Sequence, residues 1–454
     1  MKRFLVILLP ILLITSLMIS GCAKTPASTE PPQGTPQSPS APTEIRIGDT
    51  VSFTGIYAGF GFNSFGVKAA VEDINKQGGI YVKQYGKKLP VRWITADVQS
   101  DPLKVAPLTE DLILREKVHF LGPHLEAPPM RLGTAQMAEK YKIPAVYGVG
   151  PIESWMAMQA ASDVPWTYSW TYGFALVTLP EPPDFRANAP GYSMMATFFG
   201  AMAEFSTMTN KKIAVFAADD ADGKGWYQAF TGAAAQEGYD CYGADKEFGI
   251  FPAGTTDFTP IIKEWKNAGC EVLWGNCPGP DYGILWKQCH TQGFKPKLVF
   301  ATRAAGLYYD IKAWGGDLPN GVLVEAFWRP EVEGVGIGDT TPQSLCDRFF
   351  KETGQPLNQG IGYDYMGAQI LFDAIERAGT LDPDAVVKAI SETDLNTIDG
   401  RAVFEKKTRF HRWPVAVGQW QKTDSPWIWD APAVFSFNDF LKPAGKLIFP
   451  IPYE

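Results

Sequence analysis

Two stretches of this chain alternate strand-like and helix-like segments so regularly that few folds accommodate them. Residues 44–53 alternate, carry β-formers and read as a strand. A Gly- and Phe-rich loop follows. In residues 64–76, Val67, Ala70, Val71 and Ile74 recur at helical spacing, and Gly78-Gly79 supplies the stop. Residues 88–96 form a second expected strand, and Asp101-Pro102 opens a helix with an acidic cap and a proline in the first turn. A strand over 117–122, a helix over 127–141 and a strand over 143–147 complete the first run. The second begins near Tyr192 and reads strand 212–217, helix 225–236, strand 239–248, helix 259–266, strand 271–274, helix 281–292, strand 297–301. Strict alternation is the signature of a parallel sheet covered on both faces. Two doubly wound α/β units in tandem leave a cleft between the carboxyl ends of their strands.

The third stretch breaks the pattern. Helices over 363–378 and 383–391 carry apolar stripes (Ile370, Leu371, Ala374, Ile375; Val386, Val387, Ile390), and short strands follow at 401–404 and 415–421. These are too few for a third domain, so the chain is expected to return and finish both units. A length of 454 residues fits two domains better than one core. The net charge of −8, with no basic block beyond the N-terminus, argues against a nucleic-acid partner.

The N-terminus sets the compartment. Lys2 and Arg3 precede an apolar run from Phe4 to Ile19, shorter than the roughly 20 residues of a spanning helix. It ends in Ile19-Ser20-Gly21-Cys22, which resembles the lipobox of bacterial lipoproteins, so residues 1–22 read as a lipoprotein signal with Cys22 as the lipidated residue. Residues 23–43 hold six prolines and almost no large apolar side chain, the composition of a disordered tether. Fully extended it reaches roughly 65 Å. The expected location is extracytoplasmic, anchored to the membrane by lipid. Five cysteines remain (Cys241, Cys270, Cys277, Cys289, Cys346), an odd number that leaves at least one free. Their spacing with His290 matches no paired zinc pattern, so neither a metal nor a cofactor is expected.

Several segments together resemble a known family. They are Asp73-Ile74-Asn75-Lys76-Gln77-Gly78-Gly79-Ile80, Ala96-Asp97-Val98-Gln99-Ser100-Asp101-Pro102, Gly223-Lys224-Gly225, Thr256-Asp257-Phe258-Thr259-Pro260 and Val417-Gly418-Gln419-Trp420. In this order the chain from Ile45 to about Gln421 is similar to the leucine/isoleucine/valine-type solute-binding proteins of ABC importers, which have the periplasmic binding protein type I fold. The resemblance implies two lobes joined by three hinge crossovers and closing on a small ligand. It places 44–170 with 331–397 in lobe one, 171–330 with 398–430 in lobe two, and leaves 431–454 as a tail. It also implies a monomer that delivers its ligand to an ABC permease.

The same resemblance marks candidate ligand-binding positions. The loop after the third strand, where the family's amino-acid binders offer hydroxyls, reads Gly122-Pro123-His124-Leu125-Glu126-Ala127, so His124 and Glu126 stand in their place. The next cleft loop contributes Val149 and Gly150, again without a hydroxyl. Where the family places an acid for the ligand ammonium, this chain has Arg303, which either meets a ligand carboxylate or pairs with an acid such as Glu126 or Asp281. Tyr57 and Phe60 fall where the family stacks an aromatic group on ligand, and Cys277 follows a lobe-two strand. Trp166, Tyr168, Trp170, Tyr172 and Phe174 occupy alternate positions, so in a strand all five share a face; Tyr172 and Phe174 are the candidates for the pocket. The expected ligand is small: a carboxylate, an amide or an amino-acid-like solute, with a flat apolar part.

Catalysis finds little support. The chain has four histidines, and neither a nucleophile elbow nor a metal-spaced pair nor a phosphate loop. Asp219, Asp220 and Asp222 read as a solvated loop and helix start rather than as a catalytic pair. The expectation is no enzyme, with a ligand-sensing lipoprotein as the alternative to transport and a cleft enzyme as the remote one.

Overall fold

Aliphatic and β-branched residues at Ile45, Ile47 and Val51, none of them exposed, put the first strand in the interior of a sheet. The computed structural model describes residues 41–177 and 190–453. The expected signal segment with Cys22, and the tether as far as Ser40, lie outside the described residues. Among the described residues no helix is long and apolar enough to cross a membrane.

The first sheet contains β1 (Ile45–Val51), β2 (Val91–Asp97), β3 (Phe120–Leu121), β4 (Ala145–Pro151) and β5 (Ser169–Phe174). The second contains β6 (Lys212–Ala218), β7 (Asp240–Cys241), β8 (Ile250–Phe251), β9 (Val272–Asn276), β10 (Leu298–Thr302) and β11 (Leu323–Ala326). Three late strands complete them: β12 (Phe410–Arg412), β13 (Ala416–Gln419) and β14 (Ala433–Ser436). The first sheet runs β2-β1-β3-β4-β5-β12, all parallel. The second runs β8-β6-β9-β10-β11-β13-β14, with β7 also beside β6 and the last two strands antiparallel. Each sheet therefore reverses its strand order beside its first strand, the place where doubly wound folds bind ligands.

Helices cover both faces, as the alternation required. Asp101 caps Pro102–Leu114 by accepting from the Leu103 N–H at 3.0 Å, and Asp220 caps Ala221–Gln236 by accepting from Gly223 at 2.7 Å. The long helix Gly360–Ala378 lies against Ser64–Lys76 so closely that a Cβ on Gly66 would meet the Ile361 carbonyl oxygen at 2.1 Å. That contact ties the returning helices to the first sheet.

Several expectations need correction. Of the strand expected over 239–248 only β7 forms, because Gly243 and Glu247 take positive φ and turn the chain; β8 follows beyond that span, after Gly249, also at positive φ. Residues 401–404 do not reach the second sheet: Gly400–Val403 forms a hairpin with Asp394–Thr397. The border drawn at 170/171 falls inside β5. The span 398–430 divides, with β12 joining the first sheet and β13 the second. The segment after Ala431 packs on the body through β14 and the buried Leu441 and Ile451. The five alternate aromatics do not share one face either. Trp166 precedes the strand and packs on Trp155 at 4.8 Å, Tyr168 donates to Asp384 at 2.7 Å, and only Trp170, Tyr172 and Phe174 follow the alternation of β5.

Candidate functional site

The carboxyl ends of both sheets open on one cavity of about 90 Å³. A single water needs roughly 10–15 Å³ by the same kind of measure, so the space suits a small solute. Nearly every wall residue comes from the end of a strand or the loop after it: Phe60 and Asn63 after β1, Leu125 to Pro128 after β3, Val149 and Gly150 in β4, Phe174 in β5. The other side supplies Asp222 and Trp226 after β6, Asn276 in β9, Arg303 after β10, and Glu325 in β11 with Phe327 after it. Gln359, Tyr363 and Trp413 close the back.

The first-sheet wall is a fixed ion network. Gly122 adopts φ +102°, and a Cβ there would lie 1.8 Å from the Val146 carbonyl oxygen, so only glycine lets the chain turn into the His124 loop. His124 is fully buried, with Nδ1 2.5 Å from Asp364 and Nε2 3.3 Å from Glu126. Burial disfavours the imidazolium, but the two carboxylates overcome this and lift His124 to about 10. The His124 backbone N–H donates to Asp49 at 2.8 Å, and Asp49 in turn holds the buried Arg131 at 3.0 Å. Glu126 also accepts from the Ser52 N–H and hydroxyl at 2.5 and 3.1 Å. The network orients the loop and engages both Glu126 oxygens.

The second-sheet wall centres on Arg303, which sits at φ +60°, a left-handed conformation uncommon outside glycine and concentrated at functional sites. Its Nη1 donates to Asp220 at 3.0 Å and Asp222 at 3.2 Å, and Nη2 donates to the Tyr57 hydroxyl at 3.3 Å. Two of the three acids expected to lie in solvent are thus its partners, while Asp219 stays exposed and pairs with Lys224, and Glu126 and Asp281 do not reach Arg303. Asp222 is only 7% exposed. Burial and neighbouring Asp220 raise it to about 6 against the pull of Arg303. With its amide turned to suit its neighbours, Asn276 donates to Asp222 at 3.3 Å and accepts from the Trp226 indole at 3.1 Å. Glu325 accepts from the Arg303 N–H at 2.9 Å. Burial raises it to about 7, only partly offset by that hydrogen bond.

Aromatic rings join the two walls. Phe174 stacks on Phe327 at 4.8 Å, Trp413 on Tyr363 at 4.7 Å, and Phe327 meets Trp413 at 5.3 Å.

Of the candidate positions, the structure brings Phe60, Glu126, Val149, Gly150, Phe174 and Arg303 together around the cavity. The other four do not line it. Tyr57 stands behind Arg303, its ring 5.4 Å from the guanidinium. His124 is held beneath Glu126. Tyr172 is buried, with its hydroxyl donating to the Pro123 carbonyl. Cys277 follows Asn276 and faces the opposite side of the sheet, into the outer core; it and the other four described cysteines are free. The sequence reading missed Asn63, Asp222, Asn276, Glu325, Gln359 and four aromatic walls. For Asp222 and Asn276 a signal existed, since both sit at carboxyl ends of expected strands. Glu325 and Trp413 had none, because their segments carry too little periodicity.

Known proteins give the same architecture. A family model described as periplasmic binding protein matches residues 44–425. The leucine-, isoleucine-, valine-, threonine- and alanine-binding protein of Pseudomonas aeruginosa is 24% identical over 173 residues, 37% of this chain and 43% of that protein. The chain thus spans less than half the length of the curated relatives it matches. A leucine-binding protein from Thermotoga maritima superposes with a TM-score of 0.67 at 17% identity, over 86% of this chain and 99% of its own. An ABC-transporter solute-binding protein from R. palustris, in complex with 4-hydroxybenzoate, gives 0.66 at 19% identity, over 87% and 98%. With two doubly wound sheets facing across one cavity, and the family pattern running through most of its length, the chain belongs to the periplasmic binding proteins.

Proposed function

We propose that this chain is the solute-capturing lipoprotein of an ABC importer: tethered through Cys22, it closes on a small solute and hands it unaltered to a permease. The observation that carries the reading is the position of the cavity, shared by the carboxyl ends of two sheets. The chain crosses between the sheets three times, after Phe174, after Ala326 and after Arg412. Few connections of this kind let two lobes swing as bodies, and contacts across the gap, such as Arg303 with Tyr57, form when they close. In this reading one lobe is built on each sheet, β12 belongs to the first, and β14 to the second.

The relatives support a small organic solute: their names or complexes specify aliphatic amino acids in one case and 4-hydroxybenzoate in another. The walls support one with a flat apolar part, given the rings of Phe174, Phe327 and Trp413. Among the described residues of the cavity none is arranged as a nucleophile beside a base, which supports capture without chemistry. Native mass spectrometry of the full-length protein tests it: a retained small molecule, released intact on unfolding, is the expected result. A retained molecule that the protein converts would defeat it.

A further inference from the structure

The cavity's single cationic lining residue among those described, Arg303, is already matched by Asp220 and Asp222 at 3.0 and 3.2 Å. It therefore has little charge left to offer an anion. Counting Glu325, the second-sheet wall holds three acids to one base. Three side-chain polar atoms of the described lining residues are buried and have no partner: Asn63 Oδ1, Glu325 Oε2 and Trp413 Nε1. Two are acceptors, and both belong to side chains at least nine-tenths buried, Asn63 at 0% exposure and Glu325 at 7%. Buried acceptors without partners are rare and costly, and a ligand is the natural source of the missing donors. A carboxylate ligand would meet these three acids around a guanidinium that Asp220 and Asp222 already engage. An N–H-bearing cation would find two acceptors, a negative wall, and ring faces that attract positive charge.

We propose that the cavity selects a solute with a nitrogen-cation head, an amidinium, guanidinium or alkylammonium on a flat apolar body, whose N–H groups bond Glu325 Oε2 and Asn63 Oδ1. The proposal rests on the reading of the cleft as a solute trap and assigns the polarity of what is trapped. Arg303 then acts as a positioning residue: its backbone N–H orients Glu325, and its side chain holds Asp220 and Asp222. The groups facing Glu325 are this N–H, Asp222 from the helix after β6, Gln359 just before the long helix, whose amide donates to the Glu325 backbone carbonyl, and Tyr363 within that helix. A bound cation favours the ionised carboxylate. Because Glu325 titrates at about 7 without ligand, cation binding near neutral pH should release protons and weaken as pH falls below 7.

Benzamidine and benzoate test this directly, since they share a ring and differ in the sign of the head. Calorimetry on the full-length protein in detergent at pH 8 should show benzamidine binding and benzoate weaker by about tenfold or more. Glu325→Gln should weaken benzamidine by a similar factor while the thermal unfolding transition stays cooperative. Near pH 7, heats compared across buffers should report proton release with benzamidine. Tighter binding of benzoate than benzamidine, or an unchanged benzamidine affinity in Glu325→Gln, overturns the proposal. Heat from leucine or benzoate with none from benzamidine leaves the solute trap standing and removes the cation. Silence from all three, with nothing retained in native mass spectrometry, removes both.

Discussion

Replacing Glu325 with glutamine should stabilise the solute-free protein at pH 8 and leave its stability near pH 4 almost unchanged. The carboxyl titrates at about 7 in the fold against an ordinary value of 4.5, chiefly because it is buried. A folded value above the unfolded one means that its contribution is fully present below about 4.5 and is lost as pH rises through 7. At about 1.36 kcal/mol per pH unit, the loss is about 3 kcal/mol by pH 8. Glutamine keeps the oxygen that accepts from the Arg303 N–H and never ionises, so it escapes the loss. Urea unfolding of both proteins at pH 8 and pH 4 should therefore show a difference in midpoint only at the higher pH. An equal gain at both pH values, or a loss at pH 8, would show that Glu325 is not held as a strained carboxylate. Strain of this kind belongs at a site kept for a ligand rather than for stability.

Other residues give sharp expectations. Replacing His124 with alanine leaves Glu126 and Asp364 buried without their cation, and should cost about 3–5 kcal/mol at neutral pH in chemical denaturation. Trp413→Ala removes the ring that meets Phe174, Phe327 and Tyr363, and should lower stability by about 3–5 kcal/mol and weaken any bound solute, both readable by thermal melts with and without it. Cys22→Ser should move the protein from the membrane to the soluble fraction, with intact mass showing no lipid adduct.

Legibility in the sequence followed the range of the interactions involved. The first strand was readable because Ile45, Ile47 and Val51 alternate within one segment, and the helix over 64–76 because its stripe and its glycine stop are local. Strand β12 was not, since three residues including His411 and Arg412 become a strand only by pairing with β5, more than two hundred positions earlier. The acids at 220 and 222 looked solvated because acidic clusters usually are; their burial depends on Arg303, which arrives from a loop eighty residues later. Glu325 was invisible for a similar reason. Its strand is four residues long and gains its place from the antiparallel contact with β13. In contrast, Phe60, Glu126, Phe174 and Arg303 sit in loops or strand ends that the alternation itself directs toward the cleft.

Small-angle scattering of the full-length protein, stripped of solute by partial unfolding and refolding, tests the capture mechanism most directly. Adding the solute recovered from the native protein should shrink the radius of gyration and saturate with occupancy, and the solute should come back chemically unchanged. A profile that stays the same at full occupancy would contradict a hinged trap.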